Sequence, residues 1–118
     1  KRIALVTDAM SATGQPDGDY ILGSLPVKVV DGRARLLAAD GSLGAIAGST
    51  LTMGRAVEFV TSVVGIPLGQ VAVMAATTPA KLHGLNEVGV IEEGHWADLC
   101  LTDAKGHLVR VIHRGEAV

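Results

Sequence analysis

The chain has 118 residues, 48% of them apolar, with ten basic and twelve acidic side chains and a formal charge of −2, which suits one packed domain and excludes a disordered chain. Aromatic residues make up only 3% (Tyr20, Phe59 and Trp96) and no basic tract occurs, so the sequence offers neither a stacking platform nor a phosphate-neutralising stripe, and nucleic acid is not an expected partner. Cys100 is the single cysteine, which fits a reducing cytoplasm, and no apolar run reaches the roughly 18 residues of a membrane span. No secretory signal is expected either.

The chain opens directly into Ile3-Ala4-Leu5-Val6-Thr7. A continuous apolar run of this kind predicts a strand covered on both faces, as in a parallel sheet. It has no polar lead-in, so the expectation is a piece of a longer protein, or a chain trimmed by proteolysis. Asp8 ends the run, and a loop rich in glycine and proline follows from Ser11 to Gly18. Tyr20-Ile21-Leu22, Pro26 to Val30 and Arg33 to Leu37 read as strands, with Asp31-Gly32 as a tight hairpin turn. Asp40-Gly41 marks a further turn, and residues 42–49 are predicted to be loop. Met53, Ala56, Val57, Val60, Val63 and Val64 then recur at three- and four-residue spacing, one face of a helix. Thr50 or Thr52 can cap its start, and Gly65 with Pro67 stops it. A second helix is predicted from Pro67 to Ala76. Thr78-Pro79 predicts the start of a third, ending at Gly84. Residues 97–102 and 108–113 read as strands joined by the turn Asp103-Ala104-Lys105-Gly106, and Gly115-Glu116 is another turn candidate.

Asp8 is the leading chemical candidate. A carboxylate at the C-terminal end of an apolar strand can be a metal ligand or a general acid/base. From position alone, an Asx turn with its own backbone is the stronger alternative. His83, His95, His107 and His113 show no paired metal-ligand spacing and read as surface or structural. Cys100, between Leu99 and Leu101, reads as a buried structural thiol. Ser49 lacks a nucleophile-elbow context and reads as helix-start chemistry. Asp98 reads as a turn anchor for backbone amides.

Three stretches together resemble one family. They are Leu5-Val6-Thr7-Asp8-Ala9-Met10-Ser11-Ala12-Thr13-Gly14 with Pro16-Asp17-Gly18, then Ala47-Gly48-Ser49-Thr50-Leu51-Thr52-Met53, then Gly89 to Leu99. In this order they look like the last third of the N-acetylglucosamine-6-phosphate deacetylases, amidohydrolases of amino-sugar metabolism. The resemblance implies an α/β parent enzyme, a metal-dependent (β/α)8 barrel with a small β-sandwich. This chain alone would then be α+β: the last barrel strand at residues 3–7, a β excursion at 19–37, two to three helices over 51–84, and C-terminal sandwich strands. Residues 1–95 would belong to the barrel and 96–118 to the sandwich. The implied activity is removal of the N-acetyl group from N-acetylglucosamine 6-phosphate, giving glucosamine 6-phosphate and acetate. Asp8 matches the family's proton shuttle. Ile46, Ala47 and Gly48 match a backbone segment that contacts substrate, although Gly44-Ala45-Ile46 makes the approach to it longer than the family pattern. A divalent metal such as zinc is implied, with its Glu and His ligands upstream and none in this chain. The 118-residue chain alone is therefore expected to be inactive, and the complete enzyme to be a homo-oligomer. The rival readings are another amidohydrolase of the cyclic-amide type, which would share Ala97-Asp98-Leu99, and a non-catalytic α+β assembly module.

Overall fold

Short turns with positive backbone angles fold the first half of the chain into an antiparallel meander. The computed structural model describes residues 2–118, and these form two compact units. The first is Thr7–Thr52. Its strands are β1 (Gly18–Leu22), β2 (Leu25–Val30), β3 (Arg33–Leu37) and β4 (Leu43–Ile46), hydrogen-bonded in that order. At the β2–β3 turn Asp31 and Gly32 have φ 51° and 68°, the pair of left-handed residues that a type I′ turn requires. The Asp17 carboxylate accepts both of their N–H groups. Alternation along β2 puts Val27 and Val29 on the buried face. They pack with Ala34 of β3 and with Met10, Ala12 and Ala47, flanked by Tyr20 and Leu36. The loop that follows Asp8 thus contributes two side chains to the core of the meander.

The fourth strand corrects the expectation of a loop over 42–49. Arg35 pairs with Ile46 and Leu37 with Leu43, so Gly44 and Ala45 together oppose the single residue Leu36. That is a bulge, and a glycine inside a strand is its usual mark. A Cβ on Gly44 would meet the Leu36 carbonyl at 3.4 Å.

The second unit is Met53–Val118 together with the segment ending at Val6. Helix α1 (Met53–Ser62) buries Ala56. The Thr50 hydroxyl, a capping candidate by sequence, donates to the Gly32 carbonyl within the first unit. The two further helices predicted are one continuous stretch: α2 (Leu68–Ala72), a π-helical turn (Val73–Thr77) and α3 (Thr78–Leu82). Thr77 and Thr78 are both right-handed helical and Thr77 makes no side-chain cap. Pro79 has no N–H to give, and its ring crowds the carbonyl one turn earlier. A widened π turn just before it accommodates that without a break. The stretch ends as foreseen at Gly84, φ 67°. Leu85 N–H reaches the Ala80 carbonyl and Gly84 N–H the Lys81 carbonyl, a Schellman closure.

Strands β5 (Leu99–Thr102), β6 (Leu108–His113) and β7 (Glu116–Ala117) form a three-stranded antiparallel sheet. The Asp103 carboxylate accepts the Lys105 and His107 N–H groups in the β5–β6 turn. Cys100, expected to be buried, is exposed, and its neighbour Leu101 is exposed as well, while Leu99 and Thr102 at the ends of β5 are half-buried. Residues 3–7, expected as a buried strand, form no strand. Ladder pairing needs a neighbour, and Leu5 N–H instead goes to the Met74 carbonyl. Ile3 and Val6 are 61% and 80% exposed. No helix among the described residues is long and apolar enough to cross a membrane.

Candidate functional site

Asp8 has φ 52°, a left-handed conformation that costs most side chains energy and that Asp tolerates better than most. Backbone pairing on its C-terminal side holds the chain there. The Asp8 carbonyl accepts the Ser49 N–H at 2.8 Å, and Met10 N–H donates to the Ser49 carbonyl at 2.9 Å, so Ala9 and Ser49 make a parallel bridge. The Met10 and Ala12 side chains plug into the meander core. The Asx turn that competed for Asp8 is therefore not formed, because the Met10 N–H is given to Ser49. The Asp8 side chain is exposed and has no hydrogen-bond or ion-pair partner among the described residues.

Facing this arc is the segment that follows β4. Ala47 N–H donates to the Ala34 carbonyl at 3.0 Å, and Ala47 is buried in the core while Ile46 is 76% exposed. Gly48 has φ 68°, and a Cβ there would lie 3.2 Å from the Asp8 carbonyl and 3.3 Å from the Met10 Cβ. Only glycine combines that backbone with that closeness. Ser49 Oγ accepts the Leu51 N–H at 2.9 Å, the local helix-start role expected of it. Asp8 and Ala47-Gly48 thus meet in one unit, with Ile46 at the exposed margin. Thr13 was not singled out by sequence, yet its hydroxyl donates to the Ser49 carbonyl at 3.1 Å. A threonine in a loop rich in Ser, Thr and Gly gives no signal that would separate it from its neighbours.

His107 and His113 pair with carboxylates, His83 is exposed, and His95 is half-buried. His107 Nδ1 lies 2.7 Å from the Asp103 carboxylate and Nε2 3.2 Å from that of Glu58. The hydrogen bond to the Asp103 carboxylate raises the His107 pKa, and the same bond lowers that of Asp103. His113 Nδ1 is 3.0 Å from Asp98. Asp98 also accepts the Arg114 N–H at 2.7 Å, which is the turn-anchoring role expected. No three His, Cys, Asp or Glu among the described residues gather as a metal site. The described side chains therefore do not by themselves fit a metal. What the arrangement can do is present one exposed carboxylate on a rigidly pinned arc, beside a backbone cleared of side chain at Gly48.

The family model for amidohydrolases matches residues 2–118. An N-acetylglucosamine-6-phosphate deacetylase from Vibrio furnissii is 35% identical over 118 residues, which is 99% of this chain and 28% of that protein. A crystal structure of N-acetylglucosamine-6-phosphate deacetylase from Thermotoga maritima superposes with TM-score 0.80 at 41% identity, over 98% of this chain and 30% of that one. A mutant of the Mycobacterium smegmatis deacetylase, solved in complex with N-acetyl-D-glucosamine-6-phosphate, superposes with TM-score 0.79 at 35% identity, again over 98% of this chain and 30% of the other. The chain spans about three tenths of the length of these relatives.

Proposed function

The chain belongs to the amidohydrolase family, and from that premise we propose that it is the C-terminal portion of an enzyme that removes the N-acetyl group from N-acetylglucosamine 6-phosphate. The observation that supports this most directly is the pinning of Asp8 against Gly48-Ser49, which draws the first two of the three family-like stretches into one place. The product pair is glucosamine 6-phosphate and acetate.

Asp8 acts as the proton carrier. Its carboxylate takes a proton from the water that attacks the acetamide carbonyl carbon. When the tetrahedral intermediate collapses, the C–N bond breaks and Asp8 returns the proton to the departing amine. Its exposure leaves the carboxylate open to substrate, and the left-handed backbone sets the direction of its Cα–Cβ bond. The Ile46-Ala47-Gly48 backbone lies along the amino sugar, where the missing Gly48 side chain allows a close approach. Amidohydrolases are in general metal-dependent. The described residues supply no set of three ligands, so the reading assigns those ligands to residues outside this chain. In this reading residues 1–95 complete a (β/α)8 barrel, with 3–7 paired to a neighbouring strand, and 96–118 belong to a β-sandwich. The enzyme is a cytoplasmic homo-oligomer.

The test is acetate release from N-acetylglucosamine 6-phosphate by the complete polypeptide that carries this chain. Turnover is expected, and Asp8→Asn is expected to lower it by about 10²- to 10⁴-fold, the usual worth of positioned acid–base catalysis. Asn tolerates the same backbone region, so the fold survives. Full activity in Asp8→Asn would overturn the assignment. The 118-residue chain alone, with zinc added, is expected to release no acetate.

A further inference from the structure

Asp8 stands in a left-handed backbone region, so what holds the chain beside it decides where its Cα–Cβ bond points. On its C-terminal side the chain is held by main-chain pairing to Ser49. Further along, the same loop turns back on itself: Thr13 N–H closes on the Met10 carbonyl at 2.9 Å and Gln15 N–H on the Ala12 carbonyl at 3.0 Å. Thr13 Oγ1 joins the two, donating to the Ser49 carbonyl at 3.1 Å from a half-buried position. That carbonyl also receives the Met10 N–H, so both of its lone pairs are used. Gly48, immediately before, has the backbone freedom to let the Ser49 peptide tilt if one of these bonds is lost.

We propose that Thr13 is a positioning residue for the reaction: its hydroxyl locks the Ser49 carbonyl, and through it the Asp8 arc, so that the carboxylate is held in the direction needed for proton transfer. This rests on the proton-carrier reading of Asp8. Thr13 touches neither substrate nor water in this role. It acts through Ser49, and its effect belongs in the chemical step rather than in substrate binding.

The experiment compares Thr13→Val and Thr13→Ser with wild type in the complete enzyme, measuring kcat, KM and melting temperature. Thr13→Val keeps the shape and removes the hydroxyl. It is expected to lower kcat by about tenfold to 100-fold, the scale of a misplacement of up to 1 Å, with KM unchanged. Thr13→Ser keeps the hydroxyl and is expected to restore most of kcat. Should Thr13→Val be insoluble, Thr13→Ala removes the same hydroxyl with less bulk and carries the same expectation. Wild-type kcat in Thr13→Val, or Thr13→Ser as slow as Thr13→Val, overturns the proposal. A fall in melting temperature with kcat of the folded enzyme unchanged assigns Thr13 to structure alone and overturns it too. If wild type is active, Asp8→Asn is not, and Thr13→Val is, this inference fails by itself. If wild type releases no acetate, or Asp8→Asn retains full turnover, the reading beneath it fails and takes it down.

Discussion

The Ser49 N–H donates to the Asp8 carbonyl at 2.8 Å, and that single bond joins two stretches far apart in sequence. It also explains why position 48 carries no side chain. A Cβ on Gly48 would press on the Asp8 carbonyl at 3.2 Å and the Met10 Cβ at 3.3 Å, at φ 68°. Gly48→Ala is therefore expected to lower stability by about 1–3 kcal/mol, read as a shifted denaturation midpoint. In the complete enzyme it should cost activity beyond the loss of folded protein, because relief of the clash moves Asp8. An unchanged midpoint would show that the arc yields freely and is not pinned.

Much of this was legible because certain residues have only one good use. Asp31-Gly32 announces a tight hairpin, and the structure has it. The 3.6-residue spacing from Met53 onward gives α1, and Gly84 ends a helix where expected. The failures have physical causes as well. Residues 3–7 carry a strand's pattern, but pattern only states a preference for pairing, and no described strand lies alongside. Thr78-Pro79 has the chemistry of a helix start, yet a π turn lets proline sit inside a longer helix. Gly44 looked like loop because glycine disfavours strands, and in β4 it makes a bulge. Asp8 itself was ambiguous by position. The family resemblance pointed to it, and the competing Asx turn proved to be absent. Thr13 was invisible, since a hydroxyl that reaches across to a distant carbonyl leaves no local pattern.

The Asp98 carboxylate ties the β6–β7 turn to the residues just ahead of β5. It accepts the Arg114 N–H at 2.7 Å, and Gly115 N–H reaches the Ala97 carbonyl at 3.0 Å. Arg114 then lies 4.4 Å over the Trp96 ring. Asp98→Ala removes the acceptor and is expected to cost about 1 kcal/mol, whereas Asp98→Asn keeps an acceptor oxygen and should cost less. Trp96 fluorescence reports the same event, because Arg114 leaves the ring when the turn loosens. Equal stability in the two variants would mean that charge, not the hydrogen bond, is what Asp98 contributes.

Two glycines with nearly the same backbone separate packing from strain. Gly89 has φ 91°, and a Cβ there would lie 2.6 Å from the Ala80 Cβ and 3.1 Å from the Ala76 carbonyl. Its own carbonyl accepts the Thr77 hydroxyl, which anchors the loop on the π turn. Gly94 has φ 87° with nothing within 4 Å. Gly94→Ala is expected to cost about 1 kcal/mol through backbone strain alone. Gly89→Ala adds overpacking and is expected to cost about 3 kcal/mol or more. Denaturant titration of both variants reads the difference, and equal losses would show that the loop lifts off α3 without resistance.

Stability should depend on pH through His107, which sits between two carboxylates. Nδ1 is 2.7 Å from Asp103 and Nε2 is 3.2 Å from Glu58, so the charged imidazole ties the β5–β6 turn to α1. Gly106 lies close enough that a Cβ would meet the Glu58 Cα at 3.2 Å. The Asp103 hydrogen bond raises the His107 pKa above its usual 6.5, with Glu58 assisting and Lys105 opposing. A group with a raised folded-state pKa gives its full stabilisation below 6.5 and loses it as pH climbs through the folded value. Asp103 runs the other way. Its pKa is lowered beneath 3.8, chiefly by the His107 hydrogen bond, so its share is present above 3.8 and is lost as pH falls through the lower folded value. The pair therefore helps most between 3.8 and 6.5. All three side chains reach solvent, which keeps the effect small and sensitive to salt. Melting temperature is expected to fall in wild type as pH rises above 6.5, and His107→Gln should flatten that slope. Parallel curves for the two proteins would show that the clamp holds equally well with a neutral ring, through the Asp103 hydrogen bond alone.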